Sequence, residues 1–376
     1  MPAHGLAILG SGIFAKEAHL PALAALGAAV DVKAVYSRSS KSSNAFAEAA
    51  QETLGLKHKL DVYNEEEEGR SLDALLSRSD IQGVIVALPI TLQPDIVRKA
   101  LAAGKHVLSE KPVAPDVASG RALIEEYEAK YKPQGLVWRV AENFETEPAF
   151  QAARRIVHGG KLGTIKYYNA RAYSWVDTDS KWYNTPWRTV PDYQGGFLLD
   201  GGVHTIAVLR KVLPSSFSSV SAYASLAKEI LKPHDTINAV VRSDDNSHGI
   251  VELSWGAPVQ SRVTGSRDSI SVTGDKGWLE ATRTGSNIRI TVRTAVLDEN
   301  GKPVWDEEKQ QWKEAEEVIE EKSCGVEKEI ESWLRATDGE DDGLDAPSGT
   351  LIDVAFIEAA LNSNGTPIDL KKLVTG

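Results

Sequence analysis

Asp200 and His204 stand four residues apart in the segment Gly195-Gly196-Phe197-Leu198-Leu199-Asp200-Gly201-Gly202-Val203-His204, which runs on into an apolar helical pattern. On a helix that starts near Asp200 the two share a face, one turn apart. A carboxylate that orients or charges a neighbouring imidazole is an arrangement for moving a proton near neutral pH. The same spacing also suits a structural role, with Asp200 capping the helix and His204 packing in its first turn. A second candidate acid–base group lies in Glu110-Lys111-Pro112. Pro112 confines Lys111 to an extended backbone and offers no N–H, so no helix continues through it. A lysine held there can reach a substrate oxygen, although a plain surface turn accounts for the tripeptide equally well.

A third group of residues binds rather than reacts. Leu6-Ala7-Ile8-Leu9 is an apolar run that breaks at Gly10-Ser11-Gly12-Ile13-Phe14-Ala15 and resumes at helical spacing, so it reads as strand, turn, helix. Gly-x-Gly-x-x-Ala in that context is the dinucleotide fingerprint. Gly10 allows the tight turn, Gly12 the close approach of a diphosphate, and Ala15 close helix–strand packing. The helix N-terminus then holds the phosphates without a basic side chain. Gly10, Gly12, Ile13 and Phe14 are the cofactor-binding candidates of this turn. The next strand, Val30 to Tyr36, ends in Ser37-Arg38-Ser39 where an NAD-binding unit carries an acidic residue for the ribose hydroxyls. Ser37 can donate to a 2′-phosphate and Arg38 can pair with it, so NADP(H) is expected in preference to NAD(H). Tyr173, Trp175, Trp182, Tyr183, Trp187 and Tyr193 crowd the approach to the Asp-His segment. They can wall a sugar or ring substrate or simply pack loops, and Arg188 can bind a carboxylate of the substrate or a nearby Asp.

The elements that must position these groups follow from periodicity. Helices near Ala15 to Leu26, Ser42 onward, Ser71 to Leu76 and Gln93 to Ala103 alternate with buried strands at Val30 to Tyr36, Lys59 to Tyr63, Gly83 to Pro89, Lys105 to Ser109 and Gly135 to Ala141. This alternation predicts a doubly wound parallel sheet, with ligands at the carboxyl ends of its strands. Lys111 and Asn143 both follow such ends. After a helix from Pro148 to about Gly159 the period changes. Ile165 to Trp175, Val220 to Ala227, Thr236 to Val241, Gly249 to Trp255, Ser269 to Thr273, Trp278 to Ala281 and Asn287 to Thr294 read as strands of a mostly antiparallel open sheet. Leu297 to Lys322 reads as a charged excursion, and helices at Glu327 to Ala336 and Gly349 to Asn362 close the chain around an acidic linker. The expected division is a dinucleotide-binding domain at 1–145 and a second α/β domain at 146–376.

Composition narrows the class. The chain of 376 residues carries a formal net charge of -11, with no Lys/Arg stripe interleaved with aromatics, which argues against a nucleic-acid surface. No apolar run approaches the roughly 20 residues of a membrane span, and the first residues lack a basic leader, so a cytoplasmic protein is expected. Cys324 is the single cysteine, in keeping with a reducing compartment. The eight histidines show no metal-ligand spacing, so no metal is implied. The acidic runs Glu65 to Glu68 and Glu314 to Glu321 read as solvated loop or helix faces.

Taken in order, Gly10-x-Gly12-x-x-Ala15, Glu110-Lys111-Pro112, Trp187-Arg188, the Gly195 to His204 pattern and the ending Ala359 to Ile368 resemble the glucose-fructose oxidoreductase, inositol dehydrogenase and rhizopine-catabolism family, Gfo/Idh/MocA. The resemblance implies an N-terminal Rossmann domain, a C-terminal α/β domain whose sheet builds homodimers or homotetramers, and an active site between the domains. It implies that Lys111 sits near the nicotinamide and assists proton transfer, and that Asp200 and His204 hold substrate and exchange its proton. Leu88, Pro89, Glu110, Lys111 and Asn143 join the cofactor set; Lys111, Asn143, Trp187, Arg188, Asp200 and His204 form the substrate set. Two departures stand out. The chain has Leu88-Pro89-Ile90-Thr91-Leu92-Gln93 where many members have a Thr-Pro-Asn-x-x-His type sequence, and Phe197 where a third glycine is common. The expected activity is hydride transfer between NADP(H) and a hydroxyl or carbonyl compound such as a sugar, polyol or cyclic ketone. The alternatives are a non-catalytic NADP(H) sensor with a protein partner and a redox-assisted glycosidase on the same fold.

Overall fold

Short runs rich in Val, Ile, Leu and Ala become the first sheet of the computed structural model, which describes residues 4–256 and 268–376. Its strands are β1 (His4–Leu9), β2 (Val30–Tyr36), β3 (Asp61–Tyr63), β4 (Gly83–Val86), β5 (His106–Glu110) and β6 (Trp138–Ala141). All pair in parallel, in the order β3-β2-β1-β4-β5-β6. Every residue of β4 is buried, as a parallel sheet covered by helices on both faces requires. The order reverses direction at β1, so the gap beyond the carboxyl ends of β1 and β4 is the topological switch point. Local chemistry sets the helices. Ser39 caps the helix Ser40–Leu54 by accepting from Ser42 N, and Gly55 ends it at φ 60°. A helix at Val117–Glu126, capped by Asp116 through Ser119 N, lies between β5 and β6 in the chain.

The chain divides into two units, Met1–Thr146 with Gly325–Val354, and Glu147–Cys324 with Ala355–Gly376. The expected single division at 145/146 therefore does not describe 325–354, which return to the first unit. The cause is packing: Ile330, Trp333 and Leu334 of the helix Gly325–Thr337 are buried in one apolar cluster with Leu6, Ile8 and Leu108. Gly83 makes room for this helix, because a Cβ there would lie 2.7 Å from the Trp333 ring. The following linker is tied down by Arg139 against Asp341, by Asp345 N donating to Glu145 at 3.0 Å, and by Val140 N donating to Asp345 O at 2.9 Å.

The second unit is built on a nine-stranded sheet, ordered β16-β13-β12-β11-β7-β10-β9-β8-β17. Its strands are β7 (Ile165–Tyr173), β8 (Phe217–Ser225), β9 (Thr236–Ser243), β10 (His248–Ser254), β11 (Ser269–Gly274), β12 (Gly277–Thr284), β13 (Asn287–Ala295), β16 (Glu314–Lys322) and β17 (Ile368–Asp369); β14 (Trp305–Asp306) and β15 (Gln311–Trp312) make a separate small hairpin. Only β7 and β10 pair in parallel. The helices Pro148–His158 and Phe197–Val212 cover one face. On the other, alternation leaves Tyr167, Tyr223, Val240, Ile250 and Val318 exposed.

One expectation is overturned here. The acidic run from Glu314 is neither a loop nor a helix face but the edge strand β16. Its carboxylates are matched across the sheet, Arg289 Nη2 to Glu320 at 2.8 Å and Arg293 Nη2 to Glu316 at 2.6 Å. Opposite charges on directly opposed residues stabilise a ladder and keep an edge soluble.

Truncation of the returning helix's main anchor tests the assignment of 325–354. Trp333→Ala should lower stability by about 3–5 kcal/mol, the usual cost of deleting a buried indole, measured as a shift in the denaturant midpoint. A loss below about 1 kcal/mol would mean that this helix is not part of the core.

Candidate active site

In the first unit the candidate residues gather at the carboxyl ends of β1, β2, β4, β5 and β6. Gly10 sits at φ 121°, and a Cβ there would lie 2.1 Å from Ala87 O, so no other residue fits the crossing. Its N–H donates to Tyr36 O at 2.8 Å, which ties the turn to β2. At Gly12, by contrast, a Cβ would meet nothing within 4 Å. The backbone there lies open to an incoming diphosphate, and helical structure begins at Ile13 and Phe14 just beyond it. These features fit a dinucleotide. Ser11 Oγ donates to Ser37 Oγ at 3.0 Å, and Arg38 is exposed, with no hydrogen bond or ion pair of its side chain among the described residues. Leu88 and Pro89 are half-buried in the loop after β4.

Glu110 closes β5 and is buried, held by His19 Nε2, which donates to Glu110 Oε1 at 2.7 Å. Phe14 packs edge-on against the His19 ring with centroids 5.3 Å apart. The imidazole thus links the fingerprint helix to the residue that precedes Lys111, itself half-buried. No sequence spacing reveals this pair, because its members are 91 positions apart. Glu329 joins them, and the three offer ligand atoms within 4.8 Å of one another although no spacing implies a metal. Asn143 opens the short helix Asn143–Thr146 after β6, beside the buried Glu142. Gln93, at the position where the family's histidine is common, is 1% exposed, and neither atom of its amide has a hydrogen-bond partner among the described residues.

In the second unit, Asp200 and His204 lie in the first two turns of the helix Phe197–Val212. The helix starts three residues before Asp200, with Gly196 at its N-cap, so the capping role offered for Asp200 is not the one it plays. Its carboxylate is instead gripped by Arg188, whose Nε donates at 2.7 Å and Nη2 at 3.4 Å. Of the two roles open to Arg188, pairing with a nearby Asp is the one seen. The guanidinium lies 3.9 Å from the Trp187 ring centroid and 5.2 Å from that of Trp182, a cation–π sandwich that fixes it in place. Tyr193 packs on Trp187 with centroids 6.0 Å apart. Burial, and then the negative charge of Asp200, push its hydroxyl well above the usual phenol range.

The glycines of the motif have a packing reason. A Cβ at Gly201 would sit 2.6 Å from the Trp255 ring and one at Gly202 3.0 Å from Leu253, so the helix can lie this close to the end of β10 only without side chains there. Gly195 and Gly196, at φ 75° and 52°, turn the chain into the helix. Phe197, the departure from the third glycine, is absorbed into a cluster with Val176 and Leu231, against which Trp182, Tyr183 and Trp255 pack. Several of the aromatics upstream of the motif therefore pack its loop.

A parallel sheet with its glycine turn at the switch point, followed by a helix carrying Asp200 and His204 on an open, mostly antiparallel second sheet, is an architecture of nicotinamide-dinucleotide oxidoreductases. Residues 5–134 match the oxidoreductase family model with the NAD-binding Rossmann fold, and residues 150–280 match the GFO/IDH/MocA C-terminal domain. The chain belongs to the Gfo/Idh/MocA oxidoreductase family. It is 36% identical over 367 residues to the dehydrogenase FPY6 of Fusarium mangiferae, covering 96% of each chain. A crystal structure of an oxidoreductase from Thermotoga maritima superposes with a TM-score of 0.77 at 28% identity, covering 99% of both chains. The transcriptional regulator Gal80p of Kluyveromyces lactis shares the fold, with a TM-score of 0.77 at 17% identity over 99% of this chain and 95% of its own. No helix among the described residues is long and apolar enough to cross a membrane.

The Arg188–Asp200 pair is the electrostatic anchor of the second constellation. Arg188→Leu should cost roughly 3–5 kcal/mol, because it leaves a buried carboxylate without its cation. The double variant Arg188→Leu/Asp200→Leu should lose less than the sum of the single variants. Additive losses in a denaturation cycle would show that the two side chains are not coupled.

Proposed function

We propose that this oxidoreductase is NADP(H)-dependent and moves a hydride between the nicotinamide and a hydroxyl or carbonyl substrate of the sugar, polyol or cyclic ketone class. The observation that carries the reading is that one chain of this family keeps the fingerprint turn Gly10–Phe14 and all of Lys111, Asp200 and His204. A nucleotide sensor needs no proton-transfer residues, even when it is built on the whole two-domain fold. The bound nicotinamide supplies or accepts the hydride. The protein's part is to hold the diphosphate on the backbone at Gly12, to meet the ribose phosphate with Ser37 and Arg38, and to move the proton of the substrate oxygen through Lys111 or His204. Asp200, held by Arg188, lies on the same helix one turn before His204. Leu88, Pro89, Glu110 and Asn143 complete the cofactor surround, and Trp187 belongs to the substrate side. Asn143 and Arg188 are also assigned to substrate, the latter through Asp200.

Nicotinamide absorbance should fall with NADPH and a reactive member of a panel of aldehydes, ketones and sugars. Lys111→Met and His204→Ala should lower kcat by about 10²–10⁴ at the residue that carries the proton. Arg38→Ala should weaken NADPH roughly ten- to hundredfold, the worth of one charge-assisted hydrogen bond, and leave NADH unchanged. Turnover that survives both the lysine and the histidine variants would overturn the roles, whereas tight NADPH binding without turnover on a broad panel would favour the sensor reading.

We further infer a cytoplasmic homo-oligomer formed through the second sheet. Ile250 faces Val240 directly across the β9–β10 pair, with Tyr167 and Tyr223 on neighbouring strands, so the exposed face carries a contiguous set of apolar side chains. Such a face suits a second copy of the sheet. Light scattering should give a dimer or tetramer mass for the wild type and a monomer for Val240→Lys/Ile250→Lys; an unchanged mass in the variant would place the interface elsewhere.

A further inference from the structure

The turn after β2 carries Arg38 and passes within two residues into the helix Ser40–Leu54, and the acidic run after β3 closes over the start of that helix. Glu66 Oε2 accepts from Ser40 N at 3.0 Å, and Glu67 Oε1 accepts from Ser40 Oγ at 2.7 Å and from Asn64 Nδ2 at 3.1 Å. Glu65 N donates to Arg38 O at 3.3 Å, and its carboxylate accepts from Tyr36 OH at 2.8 Å. The loop is anchored from below. Asn64 is fully buried, its N–H donates to Arg70 O at 2.7 Å, and its Oδ1 accepts from Glu66 N at 2.9 Å. The hydrogen bonds from Ser40 and Asn64 hold the Glu67 carboxyl below the usual carboxylate range, so it is ionised at neutral pH.

In a Rossmann unit the ribose 2′ position lies at the end of β2, the neighbourhood of Ser37 and Arg38. A 2′-phosphate there carries nearly two negative charges and seeks N–H and O–H donors. Two of the donors nearest to Arg38 in the chain, Ser40 N and Ser40 Oγ, are already taken by carboxylates. Arg38 itself is left with no ion pair among the described residues, although acidic side chains bond to the residues on either side of it in the fold.

We propose that Glu66 and Glu67 are nucleotide-discriminating residues: their carboxylates occupy the Ser40 donors and oppose a 2′-phosphate, offsetting the attraction of Arg38, while a neutral 2′-hydroxyl meets no such repulsion. Arg38 and the loop then act as opposed terms whose balance sets the ratio of NADP(H) to NAD(H) affinity. The inference rests on the reading that the first unit binds a nicotinamide dinucleotide, and it holds whichever of the two nucleotides the wild type prefers. Because the carboxylates are exposed, the opposition is screened by salt.

The test is the dissociation constant of NADPH and of NADH, followed by nicotinamide fluorescence, for the full-length wild type and for Glu66→Gln/Glu67→Gln. Glutamine keeps an acceptor for Ser40 and removes only the charge, and a thermal melt checks that the fold is intact. The double variant should bind NADPH about tenfold tighter at low ionic strength, with NADH changed less than twofold, and the gain should shrink when the Debye length is brought to about 3 Å by added salt. An unchanged NADPH affinity, or an equal gain for NADH, overturns the proposal. A wild type that prefers NADH while the variant still gains NADPH affinity overturns the NADP(H) reading and supports this one. Binding of neither nucleotide overturns both.

Discussion

At Gly10 the backbone of β1 passes so close to Ala87 that no side chain can stand between them. Everything on the nucleotide side depends on that crossing. It brings the ends of β1 and β4 together at the point where the strand order reverses, bends the chain toward the helix that follows, and leaves the Gly12 backbone bare. A larger residue at Gly10 would separate the strands and move the helix terminus on which an anion depends. The dinucleotide fingerprint is in this sense a packing constraint first and a recognition element second.

The second theme is the matching of buried carboxylates. Glu110 takes a hydrogen bond from His19, Asp200 a two-point grip from Arg188, and Glu145 the Asp345 N–H. Asp235 accepts from the N–H groups of Ala227 and Lys228 and from the Thr236 hydroxyl. An isolated charge at such depth would cost several kcal/mol, so each of these contacts is a condition of the fold. Two of them also fix the neighbours of the proposed acid–base groups. His19 holds the residue before Lys111, and Arg188 holds the carboxylate one turn from His204.

What the sequence discloses is what local chemistry decides. The glycine turn, the alternating strands and helices up to Ala141 and the helix carrying Asp200 and His204 are visible because their signals lie within ten or so consecutive residues. Contacts between distant positions are not. Nothing near His19 points to Glu110, and nothing near Trp333 announces that its helix packs against β1 and β5. β16 was hidden for another reason: its run of glutamates reads as a solvated surface until Arg289 and Arg293 are seen opposite them. At the Asp-His segment, spacing brought two candidate residues forward but left their roles open, and the helix start at Phe197, with Gly196 at its N-cap, removes the capping alternative.

The return of Gly325–Val354 to the first unit also bears on the order in which the protein can be made. A Rossmann unit encoded entirely at the start of a chain can complete itself while the rest is still on the ribosome. Here β1, β4 and β5 emerge early, but the helix that covers their apolar cluster is synthesised about 200 residues later. At the usual elongation rates of about 5–20 residues per second that interval is roughly 10–40 s. For that time the part of the cluster on which Ile330, Trp333 and Leu334 pack stays open, while the early residues Leu23 and Phe46 already cover the rest. The glycine turn can form early, but the surface that Trp333 covers is closed only after the chain of the second unit up to Cys324 has been made.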